Sequence, residues 1–343
     1  MKDQRHIAHL DGWRGAAVSA LLLGHFFPVP GVNFGSLGVH LFFVLSGLLM
    51  TRILFVDKQP LGIFYRRRIA RIFPSVYVFL AVTTLAFAAT GRELSLLELA
   101  SAATFTNNYI LPQGPWSMPF GHIWSLSVEE HAYVVLSAVA VATRASARAS
   151  LRAVATVTSG IAGVAALYWL VFSGPGLSRI WSHTEVAAFG IFVSSLVFLC
   201  RRGEALSGRM AAPLWLALGI AAHWWSVAPP LRLVIGCGAF ALALNSLPRA
   251  PVAFIRLFEL APLRQLGVWS FSLYLWQQPF YQLVHRAGMH PVLGLGLSLL
   301  VGACAYYLVE KPARAWLNAR WSRPAADAAL PQVPAVQARR TVG

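Results

Sequence analysis

The chain has 343 residues, of which 57% are hydrophobic and 12% charged, with a mean hydropathy of +0.61. A soluble domain carries about a quarter of charged residues, so the composition excludes one and indicates a polytopic membrane protein. The formal charge of +16 does not argue for nucleic acid, because the basic residues fall in short clusters between apolar runs, as cytoplasmic loops do under the positive-inside rule.

Apolar segments of spanning length fall at about 13–30, 36–56, 73–90, 130–143, 153–173, 184–200, 211–227, 231–247, 267–285 and 292–309. They predict an all-α membrane helix bundle of about ten transmembrane helices. The segment at 130–143 is short and gains a turn from Val128-Glu129. The first apolar run shows no small-residue cleavage site and leads straight into the second, which predicts a retained signal anchor.

Charge sets the expected orientation. One side carries Lys2 and Arg5, then Lys58, Arg66, Arg67, Arg68 and Arg71, then Arg144, Arg148 and Arg152. Arg201, Arg202, Arg209, Arg249, Arg256, Arg264, Lys311, Arg314, Arg320 and Arg323 fall on the same side. The opposite side keeps Arg92, Arg179, Arg232 and Arg286. This asymmetry places both termini in the cytoplasm.

The longest outward loop, at about 91–129, contains Pro112, Gly114, Pro115, Pro119 and Gly121 and is turn-rich. Within it, Leu94 to Phe105 suits a short amphipathic helix at the interface. Residues 1–318 form the expected membrane domain, and 319–343, rich in Ala, Pro and Arg, a disordered cytoplasmic tail. Cys200, Cys237 and Cys304 lie in apolar stretches without CxxC spacing, so small buried hydrophobes are expected and no metal. The inverted repeat that marks many transporters is not evident.

Ionisable residues inside apolar segments are costly and usually functional. Arg14 and His25 stand eleven residues apart on the first helix, which is roughly three turns and puts them on one face. They are about 16 Å apart along the axis, a permanent cation near the membrane edge and an imidazole near its middle. A neutral imidazole can act as general base toward an alcohol. Snorkelling for Arg14 and an interhelical hydrogen bond for His25 are the structural alternatives.

Three further clusters follow. Arg66, Arg67, Arg68 and Arg71, between the second and third helices, serve topology and could also grip phosphates. In Trp124-Ser-Leu-Ser-Val-Glu-Glu-His131, Ser127 and Glu130 have capping-box spacing, which leaves Glu129 to orient an imidazole or bind a hydroxyl. Ser272, Gln277 and Gln278 put polar groups on the ninth helix, near Pro279, where interhelical hydrogen bonding is the default. His40 sits at the outer start of the second helix, and Ser46 and Gly47 suit close packing.

In this order the clusters resemble the acyltransferase 3 family of bacterial membrane O-acyltransferases. The corresponding signatures are Arg14-x10-His25, the Gly38-Val-His-Leu-Phe-Phe-Val-Leu-Ser-Gly47 segment, the arginine stretch ending at Pro74 and Trp124-Ser-Leu-Ser-Val-Glu-Glu130. Ser270-Phe-Ser-Leu-Tyr-Leu-Trp-Gln-Gln-Pro279 and Glu310-Lys-Pro312 complete the set. The resemblance covers about residues 6–316. It departs from the pattern at Gln277, which stands at the usual histidine, and the chain is similar to the bare membrane module without a fused extracellular hydrolase-like domain.

The resemblance implies transfer of an acyl group, acetyl as the commonest, from cytoplasmic acyl-CoA to a hydroxyl of a glycan or glycosylated acceptor. No tightly bound cofactor is expected. His25, Arg14 and Glu129 are the implied catalytic residues, and Arg66, Arg67, Arg68 and Arg71 the implied acyl-CoA site. Trp124, Ser127, Glu130, Tyr274 and Gln277 are expected at the acceptor, in a multi-pass protein of the bacterial inner membrane. The competing expectation is a proton-coupled transporter or flippase that uses Arg14, His25 and Glu129 as a polar path.

Overall fold

A computed structural model describes residues 8–110, 119–172, 181–201 and 208–322. Lys2, Arg5, Arg179, Arg202, Arg323, the loop residues Pro112, Gly114 and Pro115, and the tail from 323 onward lie outside them. Every regular element among the described residues is helical, apart from one isolated bridge between Val32 and Trp224.

In chain order the helices are α1 (Ala8–Phe26), α2 (Phe34–Thr51), α3 (Leu61–Ala89), α4 (Leu96–Ala103), α5 (Trp124–Ala142) and α6 (Ala147–Val171). They continue as α7 (Phe189–Cys200), α8 (Ala211–Ala221), α9 (Cys237–Ser246), α10 (Val252–Glu259), α11 (Ala261–Ala287), α12 (Pro291–Ala305) and α13 (Lys311–Ser322). Wide five-residue turns at Arg52–Val56, Arg232–Gly236 and Tyr306–Glu310 extend α2 and α12 and lead into α9.

Six helical stretches are long and apolar enough to cross a bilayer: Phe34–Val56, Leu61–Ala89, Gly121–Ala142, Ala147–Val171, Pro229–Arg249 and Pro291–Trp321. The chain is a multi-pass membrane protein. The other four expected spans are helical but shorter or more polar. Thr184–Cys200 and Ala211–Ala221 are short, while α1 and α11 carry polar side chains, and those two helices pack closely against each other.

Their contact is backbone to backbone. A Cβ added at Gly267 of α11 would stand 1.8 Å from the carbonyl oxygen of Asp11, and one at Gly15 1.9 Å from that of Leu263. Small residues at such crossings let van der Waals contact hold membrane helices together. α2 packs on the other side of α1 and meets α7, where a Cβ at Gly47 would lie 2.1 Å from the Ile191 oxygen. Gly47 therefore serves the close packing expected of it, whereas Ser46 donates a hydrogen bond to Glu129.

Several expected boundaries move. α1 ends at Phe26 rather than near 30 because Pro28 and Pro30 interrupt it. α8 stops at Ala221, and the chain turns back so that Trp225 N donates to Gly31 O at 2.6 Å and Asn33 N to His223 O at 3.0 Å. α3 begins at Leu61, right after Pro60, and not at 73. Arginine is a good helix former, so the basic stretch is part of the helix and not a loop. At 29 residues, α3 is about 43 Å long, more than the about 30 Å hydrocarbon core.

The interfacial helix expected at Leu94–Phe105 forms as α4, with Ser95 accepting from the Glu98 N–H. The second amphipathic helix, α10, places buried Phe258 on Trp13 of α1, with ring centroids 5.7 Å apart. Of the three free cysteines Cys237 is buried as expected, but Cys200 and Cys304 are exposed on the outside of the bundle.

Candidate active site

Arg14 and His25 both face inward, but into two cavities. Arg14 lines a narrow one of about 90 Å³, together with Ser46, Arg68, Arg71, Glu129 and Tyr133. His25 lines a wide one of about 840 Å³, with His40, His122, Trp124, Gln278 and Tyr281. Val39 and Tyr274 belong to both walls, so the cavities abut there. His25 lies in the last turn of α1, since the prolines that follow shorten the helix.

The His25 ring is held by a residue 252 positions away. Its Nδ1 lies 2.9 Å from Oε1 of Gln277, and the Gln277 amide nitrogen donates onward to Gln278 Oε1 at 3.5 Å. An amide oxygen only accepts, so His25 carries its proton on Nδ1 and keeps the lone pair on Nε2. The ring also packs on Tyr281, centroids 4.7 Å apart. Gln277 itself is fully buried and does not line the cavity, whereas Gln278 does. Helical rotation turns the Gln277 side chain, expected at the acceptor, toward His25 of α1.

The Trp-Ser-Leu-Ser-Val-Glu-Glu segment is also rearranged. No capping box forms, because a tight turn at Gly121–Ile123 leads straight into α5 and leaves Ser127 a full turn inside the helix. Ser127 Oγ lies 2.9 Å from Asn107 Oδ1 and 3.2 Å from Ile123 O; it is fully buried and lines neither cavity. Trp124 lines the wide cavity and Tyr274 lines both.

Glu129 and Glu130 converge on one guanidinium. Arg68 Nε donates to Glu130 Oε1 at 2.8 Å and an Arg68 Nη to Glu129 Oε2 at 3.2 Å, while Ser46 Oγ donates to Glu129 Oε1 at 2.7 Å. The guanidinium lies 3.7 Å above the Tyr133 ring. A half-buried charge cluster of this kind is rigid because each member satisfies another. Arg68 is therefore committed to carboxylates. Glu130, expected at the acceptor, is held by Arg68 and lines neither cavity, and Glu129 faces Arg14's cavity and not the His25 ring.

The arginine run divides by helical phase. Arg68 and Arg71, three residues apart, line the narrow cavity; Arg66 and Arg67 are exposed on the first turns of α3. Arg14 donates to Asp11 Oδ1 at 2.8 Å. Tyr274 is pinned between the cavities: its hydroxyl donates to the His122 carbonyl, and it lies 2.6 Å from Ser125 Oγ. Glu310 of the closing motif is buried and accepts from Ser272 Oγ at 2.6 Å, which ties α11 to the wide turn after α12.

The residues that sequence reasoning left without a site role are His122, Tyr281 and Arg232, all on the wide cavity, and His223 behind His40. No spacing signal marked them, because each comes from a different turn or helix. Among the described residues no three His, Cys, Asp or Glu side chains converge as metal ligands do.

Comparison with known proteins adds a second line. A family model described as an acyltransferase domain matches residues 7–309. The chain is 26% identical to YrhL of Bacillus subtilis strain 168, provisionally named a peptidoglycan O-acetyltransferase, over 91% of this chain and 56% of that protein. It is 24% identical to the O-acetyltransferase OatA of Staphylococcus aureus, over 92% of this chain and 58% of that one. BcsY of Komagataeibacter xylinus, provisionally named a membrane-bound transacylase, is 26% identical over 88% of this chain and 81% of its own length. The chain spans little more than half the length of YrhL and OatA. No solved structure matches it at a significant level.

Proposed function

The chain belongs to the acyltransferase 3 family of enzymes, and from that premise we propose that it moves an acyl group, acetyl in the first instance, from cytoplasmic acyl-CoA to a hydroxyl of a glycan or glycosylated acceptor. The names of YrhL and OatA support acetyl, and that of YrhL supports peptidoglycan as one such glycan. In this reading the start of α3 and both termini face the cytoplasm of a bacterial inner membrane, in line with the positive-inside rule.

The donor's phosphates meet Arg66 and Arg67 on the first turns of α3, since guanidinium forks match phosphate geometry. Arg71 and Arg14 stand behind them in the narrow cavity, whose apolar lining suits an extended pantetheine arm. The acceptor occupies the wide cavity, where Trp124, Trp181 and Trp225 offer ring faces and His25 a lone pair. Nε2 of His25 takes the hydroxyl proton as that oxygen attacks the thioester carbonyl carbon. The carbon–sulfur bond breaks, and the imidazolium gives the proton to the departing thiolate. Gln277 holds the other ring proton throughout.

One observation carries this reading: the His25 imidazole is fixed through Nδ1 by Gln277, which leaves Nε2 as the basic atom of a residue on the wide cavity wall. The test is transfer of labelled acetyl from acetyl-CoA into alkali-labile esters by membrane vesicles that contain the natural acceptor. A positioned base contributes about 10²- to 10⁴-fold, so His25→Ala is expected to slow incorporation by that factor at unchanged protein level. Incorporation at the wild-type rate would remove His25 from the chemistry.

A further inference from the structure

Two imidazoles outside the reaction just described are joined so that their protons are fixed. His223 follows α8 and is fully buried, stacked on Phe240 with centroids 5.2 Å apart. Its Nδ1 is 2.7 Å from the carbonyl oxygen of Gly219. A carbonyl oxygen only accepts, so this Nδ1 bears a proton. Burial pushes the His223 imidazole down to about 4, so at neutral pH it holds that single proton and Nε2 keeps a lone pair.

That lone pair faces Nδ1 of His40 on α2, 2.8 Å away. The contact needs one donor, and His223 Nε2 is not it, so His40 bears its proton on Nδ1. The lone pair of His40 is thereby moved to Nε2, and His40 lines the wide cavity, as His25 does. One backbone carbonyl thus sets the polarity of a two-ring relay that ends at the cavity wall. The arrangement repeats, by other means, what Gln277 does for His25.

We propose that His40 is an acceptor-binding residue whose Nε2 takes a hydrogen bond from a second hydroxyl of a polyhydroxylated acceptor, with His223 as the residue that fixes its tautomer. The proposal rests on reading the wide cavity as the acceptor site. Two basic nitrogens on one wall select a polyol, such as a sugar ring, over a simple alcohol: one hydroxyl gives its proton to His25, and another fills the His40 lone pair. A site built for a hydroxyl discriminates strongly against a ligand that lacks it, because a buried polar group is then left unpaired.

The same vesicle assay tests it, with vesicles from a strain deleted for this chain as the zero. If wild-type and deleted vesicles incorporate label equally, the acyl-transfer reading fails and this proposal with it. If they differ, His40→Ala is expected to lower incorporation about tenfold at equal membrane protein, and His40→Gln, whose amide oxygen can stand near the lost Nε2, to recover part of it. Wild-type incorporation by His40→Ala, or equal loss in both variants, overturns the role of His40 and leaves that of His25 standing. The tautomer is read independently of any variant's activity by nitrogen-15 NMR of histidine in the purified wild-type protein, with His40 assigned by its loss in His40→Gln. A His40 ring protonated on Nδ1 is expected; protonation on Nε2 overturns the proposal.

Discussion

At the scale of single residues, hydrogen bonds decide which nitrogen of His25 and of His40 is free. His25 has an amide oxygen on Nδ1, and a non-titrating partner does this as well as a charged one would. Gln277→Leu removes the acceptor without changing the volume much, leaves the ring free to choose either tautomer and strands a buried Nδ1–H, at a loss of about 1–3 kcal/mol. The expected result is a kcat lower by about ten- to a hundredfold with little change in KM for acetyl-CoA, since the proposal places the donor in the other cavity. Gln277→His, which restores a ring nitrogen as acceptor, is expected to retain more activity than Gln277→Leu. Equal loss in the two variants would falsify the orienting role.

Residue types were legible in the sequence, but their partners were not. Arg14, His25 and Glu129 could be singled out because an ionisable group in an apolar run is expensive. That Glu129 answers to Arg68, and His25 to Gln277, depends on contacts 61 and 252 positions apart in the chain. A local pattern also misled: Ser127 and Glu130 have capping-box spacing, yet the turn at Gly121–Ile123 starts the helix earlier and frees both for tertiary bonds.

At the scale of elements, the basic run on α3 shows what periodicity adds to charge. Read as a loop, four arginines are equivalent; on a helix they fall on two faces. Arg68 and Arg71 turn inward, while Arg66 and Arg67 stay exposed and unneutralised by any carboxylate in the structure as described. In the proposed reading the exposed pair is the one that meets donor phosphates. Arg66→Ala with Arg67→Ala should raise KM for acetyl-CoA about tenfold, with kcat nearly constant, as expected when binding common to ground and transition states is lost. Vesicles turning over at graded acetyl-CoA concentrations supply the measurement, and an unchanged KM would assign these arginines to topology alone. Helix existence was readable from apolar length, but helix ends were set by Pro28, Pro60 and the fold-back at His223, where backbone pairing overrode hydropathy.

At the scale of the whole molecule, two abutting cavities among the described residues put His25 and Arg14 on different walls. The apolar helices α2, α3 and α12 pack on α1 and α11, the polar helices that carry Arg14, His25, Tyr274 and Gln277. A bilayer enzyme with a water-soluble donor on one side needs such a partition, because an activated thioester open to the acceptor side would meet water first. Tyr274 is the pinned part of that wall, bonded to the His122 carbonyl and Ser125. Tyr274→Ala opens the wall without touching His25, Gln277 or the arginines. The expected outcome is uncoupling: thioester hydrolysis by purified protein rises several-fold relative to acetyl transfer in vesicles. Tyr274→Phe, which keeps the ring and loses only the hydroxyl bonds, is expected to fall between that variant and the wild type. If hydrolysis and transfer decline together in Tyr274→Ala, the ring supports both activities alike, and the two cavities are not separate donor and acceptor chambers.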